Sequence, residues 1–287
     1  NFHKLYETSP LVQIASANTM DVSYVPQDVR EMYRLGVTLR YCKKPIMGVV
    51  DGGREIVKRG IEKMQDFYGI KDKVISTGLI ATMGPMQMSY DMCEAVITYA
   101  ESGQALIMTS GVIVGASGPQ TIAGTYILGN SMILAGIVLS QLVKPGTPII
   151  YCGKFSSADM RYSAPAYGGI ESMLAAATSR RMADYYKIPV QTGNSNTESK
   201  LIDYQAGAES FMNLLNGYLL EADCMLHTCG VLDSMNSISY EKFMLDEETA
   251  MSLARLLRGY ELSDEMVMYE KMLEKGPSGQ YFGRTLP

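Results

Sequence analysis

The sequence predicts a parallel TIM-type (β/α)8 barrel that lacks at least its N-terminal strand-helix unit within these 287 residues. Three observations predict it. Short apolar runs recur at a regular step, and each is followed by a stretch with helical spacing. The runs are also continuous rather than alternating, which marks strands covered on both faces.

Taken in order, the run at 12–17 leads to a helix at 29–41. The run at 45–50, opened by Pro45, leads to a helix at 54–68 that stops at Gly69. Residues 73–81 lead to a helix at 90–101, with Ser89 placed as N-cap and Gly103 just beyond its end. The run at 105–110 passes through a glycine-rich stretch into a helix at 122–142. Residues 148–152 follow the turn Pro145-Gly146-Thr147-Pro148 and lead to 170–186. The run at 188–192 contains Pro189 and leads to 204–220. The last run, 224–228, leads to 239–258, where Ser239 is the expected N-cap and Asp159 is a further capping candidate upstream.

Midpoints at Ile14, Ile46, Ile75, Ile107, Ile149, Val190 and Leu226 are 32, 29, 32, 42, 41 and 36 residues apart, the length of a strand-helix unit. Seven such units, with no Gly-x-Gly-x-x-Gly or Walker-type loop after the first strand, favour a closed barrel over an open doubly wound sheet. The eighth unit is expected before Asn1. The chain opens Asn1-Phe2-His3 and closes Thr285-Leu286-Pro287, so 1–287 reads as a single barrel domain within a longer chain. The helix at 263–275 and the tail from Gly276 are expected to pack against it.

Composition narrows the function. A hydrophobic content of 47% supports a large core, and the formal net charge of −5 comes without a Lys/Arg cluster able to follow a nucleic-acid backbone. Nucleic acid is therefore not an expected partner. Five cysteines without Cys-x-x-Cys spacing and only two histidines argue against a zinc site and for reduced thiols in a cytoplasmic protein. Glycines and polar residues interrupt the most apolar stretch, 122–143, and no signal peptide is visible, so neither a membrane span nor membrane contact is expected.

In such barrels the reacting groups stand at the C-terminal ends of the strands. The residues there are polar: Asn18 and Asp21, Asp51, Met83 with Gln87, Ser110 with Ser117, Tyr151 with Lys154, then Gln191, Asn194, Asn196 and Lys200, and finally His227 with Asp233. The glycine-rich segment at 111–130 opens a helix. Its N-terminus offers an anion site near Gly115 to Thr121, or its small residues simply let the helix pack closely.

The segments GASGPQTIAGTYILGN, LAGIVLSQLVKPGTPIIYCGKF, SSADMRYSAPAYGG and MADYYKIPV, continued by KLIDYQAGAES, ADCMLHTCGVLD and GPSGQYFG, resemble the trimethylamine methyltransferase family. Its barrel enzymes pass a methyl group to a corrinoid protein. The resemblance implies that this chain binds no tight cofactor of its own and that the corrinoid arrives on a partner. The founding members carry pyrrolysine before an Asp-x-Gln-Ala sequence, and matching that segment places Lys200 at the special position. Members without pyrrolysine resemble enzymes for quaternary amines such as glycine betaine. That class is expected here, with proline betaine, carnitine or trimethylamine as alternative donors and a homo-oligomer as the expected state.

A quaternary ammonium already carries its charge, so a nucleophile displaces a neutral amine without any general acid. Recognising it calls for aromatic faces, and with no Trp in the chain these must come from Tyr or Phe. Tyr151, Phe155, Tyr162, Tyr167 and Phe282 are the candidates. His227 is a candidate partner for a substrate carboxylate, by hydrogen bond or ion pair, and Lys200 offers a fixed cation for the same group or a surface contact for an acidic partner. Asn194 and Asn196 either position substrate or form the turn before the next helix. The competing reading is a barrel that binds betaine or the corrinoid protein without transferring a methyl group.

Overall fold

The computed structural model describes residues 1–19, 21–82, 84–161 and 164–277. In chain order its elements are α1 Phe2–Thr8, β1 Ala15–Ser16, α2 Gln27–Tyr41, β2 Ile46–Met47, α3 Arg54–Tyr68, β3 Ser76–Thr82, α4 Tyr90–Glu101, β4 Ala105–Ser110, β5 Val112–Ile113 and α5 Ile122–Val143. They continue with β6 Ile149–Cys152, β7 Phe155–Asp159, β8 Ala164–Ala166, α6 Ile170–Tyr186, α7 Tyr204–Leu219, β9 Val231–Leu232, β10 Ser237–Ile238, α8 Tyr240–Arg258, α9 Asp264–Val267 and α10 Tyr269–Lys275.

The main sheet is parallel in the order β1-β2-β3-β4-β6. Single parallel bridges extend it from Tyr151 to Val190 and from Gln191 to Cys224. All seven predicted runs therefore lie side by side in chain order, with helices between them. The expectation of a barrel stands as an α/β fold with a parallel sheet; among the described residues the ring does not close. β1 pairs only with β2, and a cavity of about 510 Å3, lined by Ala15, Ser16, Leu226 and His227 among others, lies between the two edges.

Capping explains where the helices begin. The hydroxyls of Ser89, Thr121 and Ser239 accept from the backbone N–H groups of Met92, Gly124 and Lys242, and the Asp203 carboxylate accepts from Ala206, each answering a donor that the helix leaves unpaired. At the other end, Gly69 adopts φ 66° and stops α3.

Alternation along the strands sorts two cores. Met47, Leu79, Ile107, Ile150, Cys152, Cys224 and Leu226 form an inner cluster on one face of the sheet. Ile46, Ile80, Leu106, Met108, Ile149, Tyr151 and Val190 belong to the layer that the helices cover. The small residues of α5 serve this layer: a Cβ on Gly129 or Gly136 would stand 2.6 Å from Ser110 Oγ or 2.0 Å from Met108 Cε.

Several expectations are corrected here. α5, with 22 residues, is long and apolar enough to cross a membrane, because its glycines and serines interrupt the sequence without making the helix polar. Asp159 caps no helix; it ends β7, and its carboxylate receives Arg161 at 2.7 Å. The predicted helix at 263–275 is broken at Met268, φ 54°, and neither α9 nor α10 has a buried residue, so this segment does not dock tightly on the sheet. α1 had no apolar run to announce it; Phe2 and Tyr6 pack it against Phe243 of α8. Residues from Ser278 onward lie outside the described residues.

Candidate functional site

The inner face of the sheet opens at its C-terminal end into a cavity of about 190 Å3. Its walls come from the positions that alternation turns inward: Leu79 and Ala81 of β3, Thr109 of β4, Cys152 of β6, and Gln191 and Leu226 of the bridged segments. Lys154, Phe155, Tyr167, Asn196 and His227 complete it. The loop bearing Lys154 is tied down where Ser110 Oγ donates to the Lys154 carbonyl at 3.0 Å. β5, β7 and β8 form a small second sheet that continues from the same ends and carries Phe155.

Phe155 and Tyr167 are the aromatic candidates that the structure brings to the cavity. The Phe155 ring packs edge-on against Tyr126 at 6.1 Å between centroids, which holds its orientation. Tyr151 is a correction. It is fully buried on the helix side, and its hydroxyl donates to Asn130 Oδ1 at 2.8 Å and lies 3.0 Å from the Tyr126 hydroxyl. Its neighbours Ile150 and Cys152 face inward, so Tyr151 faces outward. Tyr162 and Phe282 lie outside the described residues.

His227 lines both the 190 Å3 and the 510 Å3 cavities. Its backbone takes φ 56°, and its carbonyl accepts from both the N–H of Ser195, at 2.8 Å, and the Ser195 hydroxyl, at 3.1 Å. The residue is exposed to solvent through the cavities, while the ring itself is crowded by protein. Desolvation, with a smaller contribution from the Lys154 ammonium, pushes its pKa down to about 3. The imidazole is neutral at physiological pH, the form that suits the first of the two expected roles, a hydrogen bond to a substrate carboxylate.

Asn194 and Asn196 share a small adjoining pocket with Lys154, Phe155 and Tyr167, but differ in what their side chains do. Asn194 Oδ1 accepts from the Asn196 N–H at 2.8 Å and so builds the turn, whereas Asn196 lines the cavity with its Oδ1 buried and unpartnered. Lys200 is corrected as a substrate cation: its side chain is 68% exposed, stands 3.9 Å from Asp233, and is absent from the wall of this cavity. The anion site near Gly115 to Thr121 is also absent from that wall, and the Thr121 hydroxyl takes up one of the donors at that helix end.

Sequence reasoning passed over Gln191 and Lys154 except as polar residues after strand ends. The Cys152 thiol, raised by burial and hence protonated, donates to Gln191 Oε1 at 2.8 Å. Gln191 Nε2 is left buried without a partner. A parity argument could have found Gln191, because it shares the inward face with Cys152 across the bridge between Tyr151 and Val190.

A family model described as trimethylamine methyltransferase matches residues 1–286. Among curated proteins the chain is 33% identical to glycine betaine methyltransferase of Desulfitobacterium hafniense (strain Y51) over 98% of its length and 59% of that protein. It is 32% identical to proline betaine:corrinoid methyltransferase of Eubacterium limosum over 99% of its length and 61% of that protein. The chain thus spans about three fifths of the length of these two relatives. The crystal structure of the monomethylamine methyltransferase of Methanosarcina barkeri superposes with a TM-score of 0.59 at 11% identity, covering 95% of this chain and 58% of that one, a likeness of fold.

Proposed function

Since the chain belongs to the trimethylamine methyltransferase family, we propose that it moves a methyl group from a quaternary amine, glycine betaine first, to the cobalt(I) of a separate corrinoid protein. What carries this reading is the cavity at the strand ends: small, apolar, edged by two aromatic side chains and a lysine, and therefore fitted to a small methylated zwitterion.

The reaction asks little acid-base chemistry of the protein. As the nucleophile bonds to a methyl carbon, the C–N bond breaks and its electron pair stays on nitrogen, leaving a neutral tertiary amine, dimethylglycine in the case of glycine betaine. No proton is needed by the leaving group, which agrees with a His227 imidazole that stays neutral. Phe155 and Tyr167 position the ammonium, and the inner-face residues exclude water from the charged nitrogen. At about 190 Å3 the cavity is too small for a corrin macrocycle, so the cobalt is presented from outside by the corrinoid protein.

The same reading includes a closed eight-stranded barrel, the strand expected before Asn1 filling the 510 Å3 gap between β1 and the Cys224 segment. It also includes a cytoplasmic homo-oligomer. The exposed apolar side of α5, with Ile127, Val138 and Leu142, supports association.

The test is to incubate the full protein with reduced corrinoid protein and a panel of quaternary amines, following loss of the cobalt(I) absorbance. Methylation by glycine betaine is expected. A panel in which no quaternary amine methylates cobalt would overturn the reading.

A further inference from the structure

We infer that Lys154 and Gln191 form a carboxylate-binding end of the 190 Å3 cavity and make it select zwitterionic quaternary amines over purely cationic ones. This rests on reading the cavity as a quaternary-amine site. It adds which residues discriminate among such amines.

The first observation is a pair of buried polar atoms without partners. Among the described residues, the unpartnered buried side-chain atoms are Arg34 Nε, Gln191 Nε2 and Asn196 Oδ1, and the last two line the same cavity. Gln191 is fully buried and Asn196 is 2% exposed. Buried polar groups are nearly always satisfied, so two orphans on residues that line one cavity point to a group that bonds them there.

The second observation is polarity. The Cys152 S–H donates to Gln191 Oε1, which leaves the amide nitrogen, a donor, for the cavity. A donor without a partner asks for an acceptor, and a carboxylate is the strongest one available.

The third is charge. Lys154 lines the cavity, and among the described residues no carboxylate pairs with its ammonium. Its field is felt at Cys152 and His227, two residues of the wall that holds Gln191. A cation in an apolar wall repels a bare quaternary ammonium and holds an anionic end. Phe155, Tyr167 and Asn196 line the same cavity, where the two rings offer aromatic faces and Asn196 carries an acceptor oxygen for the polarised methyl C–H groups. The cavity thus carries groups that seek an anion and groups that seek a cation, the pattern of a betaine.

Calorimetric titration of the full protein with glycine betaine, choline and tetramethylammonium tests this. Wild type should bind glycine betaine at least ~10-fold tighter than choline. Lys154→Gln should remove that preference, weakening glycine betaine ~10-fold or more while choline is unchanged or improved, and Lys154→Arg should keep it. Gln191→Leu should weaken glycine betaine alone. The inference falls if wild type binds choline as tightly as glycine betaine, if Lys154→Gln keeps the preference, or if no carboxylated amine binds. Should a variant fail to fold, the wild-type comparison still decides. Cobalt methylation without any preference for the carboxylate would sink this inference and leave the proposed reaction standing. The preference without methylation would do the reverse.

Discussion

The thiol of Cys152 donates to the side-chain oxygen of Gln191 at 2.8 Å, from one inward-facing strand position to the next across the sheet. That bond decides which end of the Gln191 amide meets the cavity. Cys152→Ala should cost about 1–2 kcal/mol of stability through the lost hydrogen bond and the void. It should also raise the glycine betaine Kd several-fold, because the amide loses its orientation. Urea denaturation and calorimetry measure the two effects; an unchanged Kd would show that the thiol does not orient the amide.

His227 links the site to pH. Its folded-state pKa of about 3 lies below the ordinary 6.5, so between those values the unfolded chain binds a proton that the native state refuses. Stability contributed by this group is therefore complete above about 6.5 and is lost as pH falls toward 3. Thermal melting of wild type should drop more than that of His227→Gln between pH 7 and pH 4.5. Equal drops would mean that the ring protonates in the folded state as easily as in the unfolded one.

Tyr151 and Phe155, both expected at the ammonium, part company in the structure. Tyr151→Phe should leave the glycine betaine Kd within about twofold while costing about 1–2 kcal/mol, since it loses bonds to Asn130 and Tyr126 on the helix side. Phe155→Leu and Tyr167→Leu should each weaken binding about tenfold by removing an aromatic face. A Tyr151→Phe variant that binds poorly would return this residue to the site.

Much of this fold was legible because local chemistry fixed it. Ser89 and Ser239 cap where the sequence places them, and Gly69 ends α3, so the helix bounds at those points follow from short-range hydrogen bonding. The site was less legible because face assignment depends on register. Tyr151, Phe155 and Lys200 all stand near or beyond the C-terminal ends of strands, yet one turns to the helices, one to the cavity and one to solvent. Alternation within β6 would have separated Tyr151 from Cys152 and Gln191, but a continuous apolar run hides its own parity. The different roles of Asn194 and Asn196 were not legible at all, because they rest on which side chain the turn uses for itself.

Behind the site, Lys242 and Asp246 form a buried pair at 2.6 Å whose members also bind Ser210, the Ser195 carbonyl and hydroxyl, and the Gly230 N–H. Ser195 in turn holds the His227 carbonyl. Asp246→Ala should destabilise the protein by about 3–5 kcal/mol, because it leaves the Lys242 charge buried and alone, whereas Lys242→Met combined with Asp246→Leu should cost much less. Urea denaturation of the single and double variants tests this; equal losses would mean that the pair itself, not the orphaned charge, sets the cost.

The most direct measurement is a competition between methyl-labelled glycine betaine and choline for the full protein with excess cobalt(I) corrinoid protein, read by NMR of the demethylated products. The account predicts dimethylglycine as the dominant product while choline remains largely intact. Persistence of both amines, with no tertiary amine formed, would contradict it.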